Sequence, residues 1–246
     1  MENQKVRQLV KDLNKKLDNW DWQKAIDISD DETATRNVLI HPFLKLLNYD
    51  EVDDFFHEVT ADLKNKKGKK IDVAITLGGK NPLILVECKK ATAKLNDNHF
   101  IQLRNYCTDT NSAKLGILTN GIIYKFYSRD SDNVLQSVPF FEFDLSDYSN
   151  QDLEMLAMFM RNVIDINSIL EEAEEIYFLE KFDDALYEAL VNPSEDFIKV
   201  VYKNMGGKRM TDKVSSKIKA LINGTSLNGA ANKIIKHEAA TSNSGI

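Results

Sequence analysis

Two carboxylates stand where they could share a cation, with one ammonium group beside them. Glu87-Cys88-Lys89 closes the apolar run Pro82–Val86, and a continuous apolar run of this length predicts a central strand covered on both faces. Side chains alternate along a strand, so Glu87 and Lys89 share one face while Cys88 takes the other. An acid and a base at the rim of a buried sheet cost free energy unless a metal or a partner compensates them. The preceding strand, Lys70–Leu77, carries Asp72 near its start, and Gly78-Gly79-Lys80-Asn81 reads as a hairpin turn. Counting outward from that turn, Leu77 meets Pro82, Thr76 meets Leu83 and, with no bulge between, Asp72 meets Glu87. Directly paired residues lie about 5 Å apart across strands, and two carboxylates that close repel unless a cation separates them. Oxygen donors of this kind suit a hard divalent cation. The plainer alternative for the three residues is an ion pair on a sheet edge.

The elements that must position these groups follow from periodicity. Val6, Leu9, Val10, Leu13 and Leu17 keep a helical rhythm over Gln4–Trp22. The N-cap formers around Ser29–Asp31 announce a second helix, which Pro42 kinks or splits in two. Strands are expected at 55–60, 70–77 and 82–89, a helix at 96–110, strands at 114–119 and 122–128 around the tight-turn pair Asn120-Gly121, and one more at 140–145. After Ser149 strand signals stop, and helices are expected at 151–163, 166–191, 194–205 and 211–222. The order predicts an α/β fold, a central mixed sheet flanked by helices, over residues 1–148 including an N-terminal helical arm. A C-terminal α-helical appendage over 149–246 follows, with a fraying tail from about His237.

These residues resemble the PD-(D/E)xK nuclease superfamily, as Asp72, fourteen intervening residues, then Glu87-Cys88-Lys89. Within it the likeness is to the N-terminal nuclease domain of type I restriction enzyme R subunits and their free-standing relatives. Thr35–Leu47 is similar to that family's first helix, with Glu32 where an acid often stands. Gln102-Leu103-Arg104-Asn105-Tyr106 resembles the Q-x-x-x-Y helix motif of RecB-like members, and Gly116–Gly121 with Tyr124–Tyr127 resembles the strand pair that follows it. The proline that opens the motif's name is absent, with Ile71 in its place. The resemblance implies a restriction-endonuclease-like fold and Mg²⁺-dependent hydrolysis of DNA phosphodiester bonds, with Mn²⁺ as a substitute ion. It further implies that Asp72, Glu87 and the Cys88 backbone carbonyl hold the ion, that Glu32 completes the shell or binds a second ion, and that Lys89 orients the attacking water or stabilises charge on the phosphate. Gln102 would bond near Lys89 or the scissile phosphate, while Tyr106 reads first as a core residue. For Glu32 and Gln102 the alternative is a helix-start acid and an exposed amide.

The chain of 246 residues carries a net charge of −6, which argues against coating nucleic acid by bulk electrostatics. A local basic surface remains compatible with it: Lys64, Lys66, Lys67, Lys69 and Lys70 surround Gly68 just before Asp72, and Lys67, Lys69 and Lys70, with Lys90, are candidate contacts to a DNA backbone. In the helical part, residues 165–190 hold nine acids against Lys181 alone, and 199–236 hold nine bases against Asp212 alone. This separation reads as helix faces that attract one another or as a phosphate-binding surface. No run approaches a bilayer span, no apolar leader opens the chain, and two cysteines form neither a disulfide framework nor a zinc motif. A cytoplasmic protein without membrane contact is expected. The histidines show no metal-ligand spacing, and no G-x-x-x-x-G-K-[ST] loop is present, so no motor is expected in this sequence. Two rivals to a nuclease remain: a silent module of the same fold that binds nucleic acid or a partner protein, and an interaction protein whose acidic helices dock on a basic partner. The helical region is also the expected surface for homo-oligomer or partner contacts.

Overall fold

A computed structural model of the chain describes residues 2–60 and 70–222. Lys64, Lys66, Lys67 and Lys69 of the basic loop, and the expected tail from His237, lie outside the described residues. Two compact units emerge, Met1–Glu175 and Ile176–Ile246.

At the centre of the first unit runs β3, Ile84–Cys88, buried at all of its positions, as its apolar composition requires. It is flanked by β2 (Lys70–Ile75) and β4 (Leu115–Thr119) in a six-stranded sheet completed by β1 (Phe55–Thr60), β5 (Ile123–Ser128) and β6 (Phe141–Asp144), with spatial order β1-β2-β3-β4-β5-β6. β3 and β4 are parallel and every other pair is antiparallel. A parallel neighbour needs a crossover, supplied by α5, Asp97–Asp109, which packs on both strands. Asn96 caps α5, its side chain accepting from the backbone of Asn98 and His99. Leu85 and Ala74 pack with Phe100, Leu103 and Tyr106 on this face of the sheet. Ile84, Val86 and Ile117 face the opposite layer, where Phe43 stacks on Tyr124 at 4.0 Å. The mixed sheet with flanking helices is the expected α/β architecture.

The helical arm departs from expectation in detail. α1, Glu2–Asp18, stops short of Trp22, which opens a separate α2, Trp22–Ile26. The second helix is neither simply kinked nor split. α3 (Glu32–Thr35) passes through a π-helical turn, Arg36–Ile40, into α4 (His41–Leu46), with the His41 amide reaching back to the Arg36 carbonyl. Pro42 lacks an amide and its ring would strike the carbonyl four residues back, and a wider turn removes that conflict. β2 ends at Ile75 because Leu77 and Gly78 both adopt positive φ, 54° and 80°, to start the turn. α6 covers Asn150–Ala157 and does not reach 163. Tertiary partners take over beyond it: Tyr49 Oη donates to the Phe159 carbonyl at 2.7 Å, and the Arg161 amide to the Leu47 carbonyl at 2.9 Å.

α7, Ile166–Val191, contains the boundary between the units. In the second unit α8 (Glu195–Asn204) packs on α9 (Asp212–Ile222) through buried Ile198, Ile218 and Ile222. Among the described residues, no helix is long and apolar enough to cross a membrane.

Candidate active site

The β2–β3 hairpin sets the site's register. Val73 pairs with Val86, Ala74 with Leu85 and Ile75 with Ile84, the alignment that carries Asp72 to the level of Glu87. The two acids differ in environment. Asp72 Oδ2 accepts the Cys88 backbone amide at 2.8 Å, and Arg36 Nη1 stands 3.7 Å from Oδ1. Glu87 is 1% exposed. Its Oε1 accepts Lys89 Nζ at 2.6 Å, while Oε2 is buried with no hydrogen-bond partner among the described residues.

Lys89 is the hub. Beyond Glu87, its Nζ lies 3.4 Å from Glu32 Oε1 and 3.4 Å from Gln102 Oε1. Gln102 in turn donates through Nε2 to Tyr106 Oη at 3.4 Å. Gln102 and Tyr106 share a helix face one turn apart, so a single stripe of α5 serves both the core and the site. Cys88 contributes its backbone N–H, to Asp72. Lys70 and Lys90 are both exposed, as a backbone contact to DNA requires.

Backbone contacts hold this arrangement from three sides. The Lys89 amide donates to the Thr119 carbonyl at 2.8 Å, extending the β3–β4 pairing beyond the strand. The Ala91 amide donates at 3.0 Å to the hydroxyl of fully buried Thr35, which itself donates to the Asp31 carbonyl. That chain ties the segment after Lys89 to the start of α3, where Asp31 caps the helix by accepting from the Ala34 amide. The Asn120-Gly121 turn closes the third side. Asn120 Nδ2 donates to the Ala93 carbonyl, and Gly121, at φ +83°, sits so near the helix that an added Cβ would meet Leu39 Cβ at 2.8 Å.

Burial dominates the electrostatics. It raises the Asp72 carboxyl above its usual range, against the Cys88 amide, Lys89 and Arg36, which favour the charged form. Burial, then the charge of Asp72, pushes Glu87 up to about 7 against the pull of Lys89. For Lys89 burial works downward, but the hydrogen bond to Glu87 and the charges of Glu87, Glu32 and Asp72 outweigh it and raise the ammonium further. Arg36 stands by Asp72, and Lys89 by Glu87 and Glu32, so three acids meet two bases and Glu87 Oε2 is left short of a donor. A divalent cation would correct that deficit with the oxygen ligands it prefers, so this donor set fits a Mg²⁺-type ion. Glu32, with its side chain 53% exposed, reaches the cluster through Lys89.

Two neighbours escaped the sequence reading. Arg36 follows Glu32 by one turn, and that spacing was the available signal; its contact to Asp72 depends on how the π-helical turn sits against β2. His99 precedes Gln102 by three residues on the same stripe of α5, and burial followed by the charge of Lys89 lowers its imidazole.

Fold and site together define an α/β domain with an acid–base cluster at the end of its central strand. Residues 31–139 match the family profile described as the type I restriction enzyme R protein N terminus. That segment, somewhat under half of the chain, is similar to this restriction-enzyme family and includes Asp72, Glu87, Lys89, Gln102 and Glu32. Among solved structures, one titled as the characterization and crystal structure of the type IIG restriction endonuclease BpuSI aligns at 15% identity and a TM-score of 0.37, over 75% of this chain and 23% of that one. The chain thus spans about a quarter of the length of that enzyme. No curated protein matches the sequence.

Proposed function

We propose that the protein is a metal-dependent deoxyribonuclease hydrolysing phosphodiester bonds, acting in the cytoplasm in a restriction, defence or mobile-element setting. The observation that carries this reading is the Glu87 carboxylate, which is buried beside Asp72, paired to Lys89 through one oxygen and unpartnered at the other. Asp72 and Glu87, with the Cys88 carbonyl, would hold Mg²⁺ or Mn²⁺. When bound, such an ion polarises the scissile phosphate and acidifies a coordinated water. The chain's own groups do the rest. The Cys88 amide and Arg36 keep Asp72 oriented. Lys89 carries a fixed positive charge next to the phosphate, where it stabilises charge as the bond breaks or orients the attacking water. Gln102 holds Lys89 from the α5 side, braced by Tyr106. Glu32 anchors Lys89 from the helical arm and would complete the ion's shell or bind a second ion. Lys70, Lys90 and the basic loop with Lys67 and Lys69 would meet the DNA backbone. The chemistry is assigned to residues 1–148, and contacts to a partner protein or a second copy to residues 149–246.

The test is cleavage of plasmid DNA by purified protein with Mg²⁺ or Mn²⁺. Asp72→Asn, Glu87→Gln and Lys89→Ala should each remove it while leaving the circular-dichroism spectrum unchanged. Cleavage at parental rate by all three variants would end the assignment.

One observation favours a silent binding module: Lys89 already engages both Glu87 and Glu32, so the acids have an internal counter-ion. Calorimetry decides between the two. Uptake of Mg²⁺ or Mn²⁺ that depends on Asp72 and Glu87 supports the enzyme, and DNA binding without such uptake supports the module.

A further inference from the structure

Away from the candidate active site, a second group of potential ligands forms at the junction of α4, the following turn and β1. His41, Glu51 and His57 each offer an atom, and these atoms all lie within 4.8 Å of one another. Among the described residues no other set of three or more histidine, cysteine or acidic side chains is so arranged. The His41 and His57 rings stack with centroids 4.2 Å apart, and His57 Nε2 is 3.1 Å from Glu51 Oε1. The other carboxylate oxygen, Oε2, is held by Lys45 at 3.0 Å, which fixes the orientation of the group and leaves Oε1 facing the histidines.

What marks the cluster as unfinished is its polar inventory. His41 is 6% exposed, and its Nε2 is buried with no hydrogen-bond partner among the described residues. His57 Nδ1 is in the same condition. Buried polar atoms of native proteins are nearly always satisfied, and a cation held between His41, the His57 nitrogen that faces Glu51, and that carboxylate would give the buried His41 Nε2 a partner. We propose that His41, Glu51 and His57 form a binding site for a borderline divalent cation of the Zn²⁺ type. Two imidazoles and one carboxylate are a donor set such ions favour, whereas Mg²⁺ and Ca²⁺ prefer oxygen alone. Ligands of a tetrahedral Zn²⁺ are separated by about 3.3 Å, given bonds near 2.0 Å, so the His57–Glu51 spacing needs little adjustment. A fourth position is left to water.

The site is built to brace the fold. His41 opens α4, directly after the π-helical turn that carries Arg36, and His57 lies in β1, paired with Val73 of β2. An ion here links the helical arm to the strand beside β2, the strand of Asp72, without entering the candidate active site.

The experiment is titration of the purified full chain with Zn²⁺ against a chromophoric chelator in excess Mg²⁺, alongside thermal unfolding. One equivalent of Zn²⁺ should bind, raise Tm, and persist in the Asp72→Asn and Glu87→Gln double variant, which separates it from the proposed nuclease centre. His57→Ala should remove that equivalent and the Tm rise, and Glu51→Gln should weaken binding at least about tenfold. Both substitutions are at partly exposed positions, so folding can be verified by circular dichroism before titration. Absence of saturable Zn²⁺ uptake by the parent, or the same stoichiometry and affinity in His57→Ala, overturns the proposal.

Discussion

Lys89 Nζ lies 2.6 Å from Glu87 Oε1, while Oε2 of the same carboxylate is buried without a partner. One half of the acid is neutralised by its neighbour two residues along the chain, and the other half is left without a donor in a place that water does not reach.

Glu87 should impose a pH dependence on cleavage. Its carboxyl in the fold titrates near 7, so the anionic form that could bind a cation prevails only above that pH. At metal concentrations below saturation, activity should therefore rise through pH 7 and level off above it. An apparent Mn²⁺ affinity unchanged between pH 5 and pH 8 contradicts this role.

The same group should govern metal-free stability. A folded-state pKa raised above the ordinary carboxylate value of 4.5 means that the folded protein holds the proton more tightly. The contribution is fully present below pH 4.5 and is lost as pH rises through 7. Glu87→Gln, which keeps the neutral shape, should therefore gain on the parent by about 2 kcal/mol between pH 5 and pH 8 in urea unfolding without metal.

His41 should act in the opposite direction. Burial, then the charge of His57, lowers its imidazole to about 4. A depressed folded pKa gives stability that is present above 6.5 and lost as pH falls through 4, about 2–3 kcal/mol in all. Acid unfolding in that window should be shallower in His41→Gln than in the parent, measured by fluorescence at constant ionic strength in the presence of a chelator.

Arg36 should affect chemistry more than folding. It stands 3.7 Å from Asp72 Oδ1 and favours the charged, oriented carboxylate. Arg36→Met should lower kcat for DNA cleavage about tenfold with KM little changed, a split that a general loss of DNA affinity would not produce.

Gly121→Ala should cost about 2–4 kcal/mol. The residue has φ +83° and an added Cβ would stand 2.8 Å from Leu39 Cβ, so strain and overpacking act together. Because this turn presses on the helix that holds the Ala91 segment, any residual folded protein should also cleave poorly. A Tm within about 2 °C of the parent would show that the turn and helix can separate freely.

Much of the frame was written locally. The apolar run ending in Glu87-Cys88-Lys89 specified a buried central strand, the Gly-rich turn specified the register that levels Asp72 with Glu87, and the cap formers up to Asp31 announced the helix start that Asp31 caps. Each of these depends on neighbours in the chain, through side-chain alternation, turn conformation and capping, which is why residue order alone conveys them. What only the packed molecule decided were the relations between elements. Arg36 faces Asp72, His99 approaches Lys89, and Lys89 gathers Glu87, Glu32 and Gln102 from three separate segments. His41, Glu51 and His57 meet although no spacing among them suggests it. The upward shift of Glu87 belongs to the same class, because desolvation exists only once strands and helices have closed around the carboxylate.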